Sequence, residues 1–195
     1  MKRFSVLGLA LLMLWAIPSR GQYKPEREHR IKKSQFPEAA IALVEARIPD
    51  ARRKRYYRET DSSFVSYRVK FRKERLQYRA FFGKEGRLQA MDIGITPTDV
   101  PDETMERMMA SLDIAFSSYK IHAMRQQYVL GEGESMETLL RNTFQNLLLP
   151  DVRYELQLSG KEAKGGRDYE VTFDAEGNLI GRRRALPPNY DHVLY

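Results

Sequence analysis

The chain has no cysteine. That absence excludes disulfides, thiolate metal sites, a thiol nucleophile and a lipid-modified cysteine anchor. Histidine occurs three times, at His29, His122 and His192. None is four residues from another, as two ligands on one helical face would be, and no triad or metal-ligand pattern surrounds them. Tryptophan occurs once, at Trp15. Long apolar runs are also missing: the longest, Phe4 to Ile17, spans 14 residues, short of the roughly 20 that cross a bilayer as a helix.

That run follows the basic pair Lys2 and Arg3 and precedes Pro18-Ser19-Arg20-Gly21. This is the three-part layout of a secretory signal peptide, residues 1–21, with cleavage expected between Gly21 and Gln22. Export to the periplasm or beyond is the expected destination, with no stable membrane span after processing. A nucleic-acid partner is then not expected, despite the basic runs Arg52-Arg53-Lys54-Arg55 and Arg182-Arg183-Arg184. On a strand only alternate residues share a face, so neither run should form one solid patch.

With 42% apolar and 30% charged residues, the composition is that of a folded domain. Residues 22–35 are polar and read as a mobile leader. Pro37 then opens a helix whose Ala40, Ile41, Val44 and Ile48 recur at helical spacing until Pro49. After Pro49 the period becomes two. Arg52 to Glu59 reads as an opening strand, and Val65, Tyr67, Val69 and Phe71 alternate with Ser66, Arg68, Lys70 and Arg72. Leu76, Tyr78, Ala80 and Phe82 continue the alternation, and Leu88 to Ile95 follows a Gly86 turn. The expectation is a helix and a four-stranded antiparallel meander over 36–97, one sheet face in the core and one wet.

The same order returns over 98–185. Pro101 opens a helix with Met105, Met108, Met109, Leu112 and Phe116 as its stripe, and Ile121 to Leu130 opens the second set of strands. Tyr78-x3-Phe82-Gly83-Lys84-Glu85-Gly86-Arg87-Leu88 aligns with Tyr169-x3-Phe173-Asp174-Ala175-Glu176-Gly177-Asn178-Leu179. Such self-similarity marks an internal repeat. The second copy holds an insertion, 134–149, whose Met136, Leu139, Leu140, Phe144, Leu147 and Leu148 predict an extra helix. Residues 186–195 form a tail. The loop at Asp174 lacks the remaining ligands of a calcium site and reads as a hairpin turn.

The motifs Phe36-Pro37, Ile48-Pro49-Asp50-Ala51, Tyr67-x-Val69-x-Phe71 and Phe82-Gly83-Lys84-Glu85-Gly86-Arg87-Leu88, with their second-half counterparts, resemble the PepSY-like, β-lactamase-inhibitor-protein-like (BLIP-like) family of secreted bacterial proteins. The resemblance implies an α+β fold: two tandem αβ4 units in one curved sheet, helices on one face and a concave open face. It also implies an exported, periplasmic protein of the kind found in Bacteroidetes, and a binding role, enzyme inhibition among the forms it takes.

Charge divides unevenly between the halves. Residues 22–97 carry 19 basic and 10 acidic side chains, residues 98–195 carry 11 and 16. On the expected open face the first half places Arg68, Lys70, Arg72, Arg79 and Phe81, and the second Glu155 and Glu170. The functional expectation is a non-enzymatic binding module, without metal or other cofactor, that meets an exported or cell-envelope protein through this face. The alternative is an envelope scaffold whose basic first half docks on an anionic glycan or lipid.

Overall fold

In the computed structural model, which describes residues 27–60, 64–163 and 165–185, the alternating segments form one antiparallel sheet of nine strands. These are β1 (Arg27–Ile31), β2 (Arg52–Thr60), β3 (Val65–Lys73), β4 (Leu76–Phe82), β5 (Leu88–Ile95), β6 (Ser118–Val129), β7 (Arg153–Glu162), β8 (Gly165–Phe173) and β9 (Leu179–Arg184). Spatial order follows chain order, so each strand bonds its sequence neighbours, with β1 and β9 at the edges. The sheet runs unbroken from the first half into the second through β5 and β6, where Ala90 faces Val129 and Ile95 faces Met124. The segment expected to be a signal peptide, with its Gly21/Gln22 junction, and the 186–195 stretch expected to be a tail lie outside the described residues.

Three α-helices accompany the sheet among the described residues: α1 (Glu38–Arg47) before β2, α2 (Asp102–Ala115) before β6, and α3 (Met136–Phe144) between β6 and β7. All three cover one face. Ala40 and Val44 of α1 and Met108 and Leu112 of α2 are buried with Val69, Ala80, Met91, Leu156 and Val171 of the strands. These strand residues are cross-strand partners or share parity with them, as period-two patterning requires. Phe36, just ahead of α1, sets its ring edge against Tyr56, Tyr67 and Phe82 at 5.0 to 5.6 Å.

Two glycines hold the helices close to the sheet. Gly86 (φ +78) turns β4 into β5, with Gly83 N–H bonding Arg87 O and Gly86 N–H bonding Gly83 O. Gly177 (φ +87) turns β8 into β9 with the same pair of bonds, Asp174 to Asn178 and Gly177 to Asp174. A Cβ on Gly86 would lie 3.0 Å from Ala40 N at the start of α1; one on Gly177 would lie 2.5 Å from Thr104 O at the start of α2. Only glycine meets both the left-handed backbone and the close approach.

Two expectations require correction. Residues 27–31 are not a mobile leader but the edge strand β1, paired residue for residue with β2. Their polar pattern hides the strand because its stabilising contacts are ionic: Glu28 reaches Arg68 at 3.2 Å and Lys70 at 3.1 Å, and only Ile31 enters the core. The inserted helix is also shorter than 134–149. Ser135 caps its start by accepting from Thr138 N–H at 3.1 Å. Its end is fixed by Asn146 in the left-handed region (φ 49), with Leu147 N–H bonding Asn142 O and Asn146 N–H bonding Thr143 O. That double bond pattern terminates a helix, so Leu147 and Leu148 lie beyond it and Leu148 is exposed. The helix packs on β5 and β6. The buried Gln126 amide and the Tyr128 hydroxyl both donate to the Leu147 carbonyl, at 2.9 Å each.

Candidate binding face

The face turned away from the helices carries every residue picked out from sequence. Arg68, Lys70 and Arg72 of β3 stand opposite Phe81, Arg79 and Gln77 of β4. Arg79 faces Asp92 of β5, and Glu155 lies between Arg125 of β6 and Thr172 of β8. The face is less wet than alternation suggests, because long side chains on adjacent strands cover one another.

Arg79 is the centre of this layer. Its side chain is 8% exposed and Asp92 only 1%. Its Nε donates to Asp92 Oδ2 at 2.6 Å and its Nη2 to Glu155 Oε1 at 2.8 Å. Arg125 approaches the same Glu155 oxygen at 3.6 Å. Burial opposes the Arg79 charge, but the two carboxylates outweigh it and raise its pKa. The Asp92 carboxyl is pushed up by burial against the pull of Arg79. Glu155 is also desolvated, yet Arg79 and Arg125 prevail and hold it below the ordinary glutamate value.

On the β1 side, Arg68 pairs with Glu28 and, at 2.8 Å, with Glu59. Its guanidinium and that of Arg79 lie 4.6 and 5.3 Å from the centre of the Phe81 ring, so Phe81 sits between two cations. Lys70 stands 4.1 Å over the Tyr57 ring, and burial lowers its pKa. On the β9 side, Glu170 bonds Gln157 at 3.2 Å and Arg183 at 2.6 Å, and no first-half cation among the described residues. Of the residues expected to act together, Arg79 and Glu155 meet directly across four strands. Arg72 is exposed and has no carboxylate partner among the described residues.

Sequence reading missed Glu28, Glu59, Asp92, Arg125 and Arg183. Asp92 left a signal, being the lone charge in the apolar strand Leu88–Ile95, and its parity with Ala90 and Gly94 assigns it to the open face. Glu28 left none, since its segment carries no alternation. One basic run also holds an irregularity that its sequence does not announce. Between β2 and β3, Arg52 faces Arg72 and Arg55 faces Lys70, so β2 holds an extra residue there, and Arg53 takes φ 55. This bulge breaks alternation. Arg53 and Arg55, alternate residues of the strand, line one concavity of about 280 Å³ together with Lys70, Arg72 and Gln77.

A second polar group lies at the far end of the face. His122 Nε2 is 2.6 Å from Ser159 Oγ, which donates to Asp168 Oδ1 at 2.5 Å. The hydroxyl stands between imidazole and carboxylate, whereas a nucleophile needs the imidazole between the other two. Among the described residues no group of three or more His, Asp or Glu side chains gathers to hold a metal ion, and no helix is long and apolar enough to cross a membrane.

No family model and no curated protein matches the chain. Solved structures do. A protein of Bacteroides eggerthii described as periplasmic aligns with TM-score 0.52 at 13% identity, over 76% of this chain and 88% of its own. A DUF2874 family protein from Bacteroides uniformis gives the same values. A BLIP-like protein from Bacteroides fragilis superposes more loosely, at 0.47 and 9% identity, over 80% of this chain and 92% of its own. The similarity to the first two is one of fold.

Proposed function

We propose that this chain is an exported, non-enzymatic binding module of the periplasm or cell surface, built from two tandem αβ4 units of the PepSY-like kind, and that its open sheet face receives a protein partner. Inhibition of an exported enzyme is one form of this role. The observation that carries the reading is the order already present on that face. Arg68, Arg79, Glu155 and Glu170 are each held by ion pairs before any partner arrives, so little side-chain freedom remains to be lost on binding. The fold likeness to a Bacteroides protein described as periplasmic agrees with the secretory layout of residues 1–21.

The test is a crosslinking pull-down with residues 22–195 from the exported fraction of the host, at low and moderate salt. Gln77→Trp obstructs the open face at an exposed position opposite Arg72, and Ile114→Lys alters an exposed position on α2. Expected is one protein captured at moderate salt, lost with Gln77→Trp and kept with Ile114→Lys. Capture that survives Gln77→Trp overturns the proposed face, and capture of salt-labile glycan or lipid alone favours the envelope-scaffold alternative.

A further inference from the structure

We propose that Arg53, Arg55 and Arg72 form a carboxylate-reading subsite on the open face, which takes an aspartate or glutamate side chain of the protein partner; this deepens the binding-module reading and rests on it. Three observations converge. The three arginines are exposed and make no ion pair among the described residues, although every other arginine on this face that bears on the concavity is paired. Arg68 and Arg79 have their carboxylates, and Arg125 has Glu155. Arg53 and Arg55, two apart on β2, also share a concavity with Arg72 of the neighbouring strand, so three unpaired cations are gathered in one place. Finally, Arg53 holds a left-handed backbone that glycine or asparagine would adopt more readily. A strained arginine that adds charge to an already cationic recess is an outlier of the sort that accumulates at ligand sites.

The chemistry of the recess selects a compact anion. Guanidinium forks match the planar carboxylate in bidentate geometry, and Gln77 adds an amide donor at the wall. Glu28 and Glu170 also line the concavity, from β1 and β8. An extended polyanion laid across the strands would meet one or both of these carboxylates, whereas a single acidic side chain fits between them. This favours an acidic protein loop over a polysaccharide or a lipid surface.

The subsite is tested on residues 22–195 with 15N-arginine labelling, following the side-chain Nε–Hε signals. The probes are the peptide Ac-Gly-Asp-Glu-Asp-Gly-NH2, its Asn/Gln counterpart and sodium sulfate. Expected are saturable shifts at Arg53, Arg55 and Arg72 with the acidic peptide, none with the neutral one, and an affinity about tenfold weaker in Arg55→Gln/Arg72→Gln. Arg53→Gly separates ligand binding from architecture: it should weaken the peptide comparably while the melting temperature stays level or rises, since glycine relieves the backbone. No shift at these signals up to about 20 mM peptide, equal binding of sulfate, or a fall in melting temperature of Arg53→Gly with binding intact would each overturn the proposal. The pull-down keeps the two readings apart. A partner lost with Gln77→Trp but retained by Arg55→Gln/Arg72→Gln leaves the binding face standing and removes the subsite.

Discussion

Arg79 and Glu155 are 76 residues apart in sequence and joined by a hydrogen bond of 2.8 Å. The bond spans the boundary between the basic half and the acidic half, and with Asp92 and Arg125 it makes a group of two cations and two anions whose charges cancel. Each half supplies one cation and one anion to it, so the group joins the halves and leaves their charge contrast intact. Arg79→Met should lower stability by about 3–5 kcal/mol, because it leaves Asp92 buried without its cation. Arg79→Met/Asp92→Leu should recover much of that loss. Urea unfolding monitored by circular dichroism measures both.

Acid dependence follows from Glu155. Its carboxyl titrates lower in the folded protein than its ordinary value of 4.5, so the folded state binds fewer protons. Its contribution is complete above about pH 4.5 and is lost as the pH falls through the folded value. Glu155→Gln should be less stable than the parent at pH 7, and the gap should narrow steadily below about pH 4.5. Asp92, pushed up by burial, acts in the opposite direction in both proteins. The readout is therefore the difference between two urea series, and a gap that stays constant down to about pH 3 would contradict the assignment.

Gly177→Ala places a Cβ 2.5 Å from the Thr104 carbonyl on a backbone of φ +87. Steric overlap and backbone strain together should cost about 2–4 kcal/mol. Gly133→Ala supplies the comparison: φ is +79 but nothing lies within 4 Å, so only the backbone cost of about 1–2 kcal/mol remains. Thermal melts of the two variants should separate clearly.

The helix α3 behaves as core. Leu139 is 1% exposed and Phe144 packs edge-to-face on Tyr78, ring centres 5.4 Å apart. Leu139→Ala should cost about 2–4 kcal/mol, and removal of 134–149 should abolish cooperative unfolding, since it uncovers Tyr78, Gln126 and Tyr128. A folded deletion protein would show instead that the helix is an appendage.

Most of the sheet was legible because its core face follows strict alternation. The expected segments Leu76 to Phe82 and Leu88 to Ile95 coincide with β4 and β5, and the opening strand beginning at Arg52 is β2. Gly86 and Gly177 could be matched by spacing because each meets a backbone requirement that only glycine satisfies. The open face was legible in membership but not in environment. Parity places Arg79 there, yet its burial depends on side chains from β5, β6 and β7, whose register a single sequence does not state. The bulge at Arg53 was invisible for a related reason: four consecutive basic residues give no sign of where the extra one will sit. β1 was hidden because Glu28 is stabilised by cations forty or more residues away.

The sequential strand order bears on how the protein comes to be folded. Each strand finds its partner already present on the preceding hairpin or across one helix, and no strand has to be threaded between two that are already paired. Contacts between successive strands close short loops, which keeps the entropic barrier to each addition low. A chain delivered from its amino end through a secretion pore could therefore lay down its sheet one ribbon at a time, with β1 to β5 assembled before β9 has emerged.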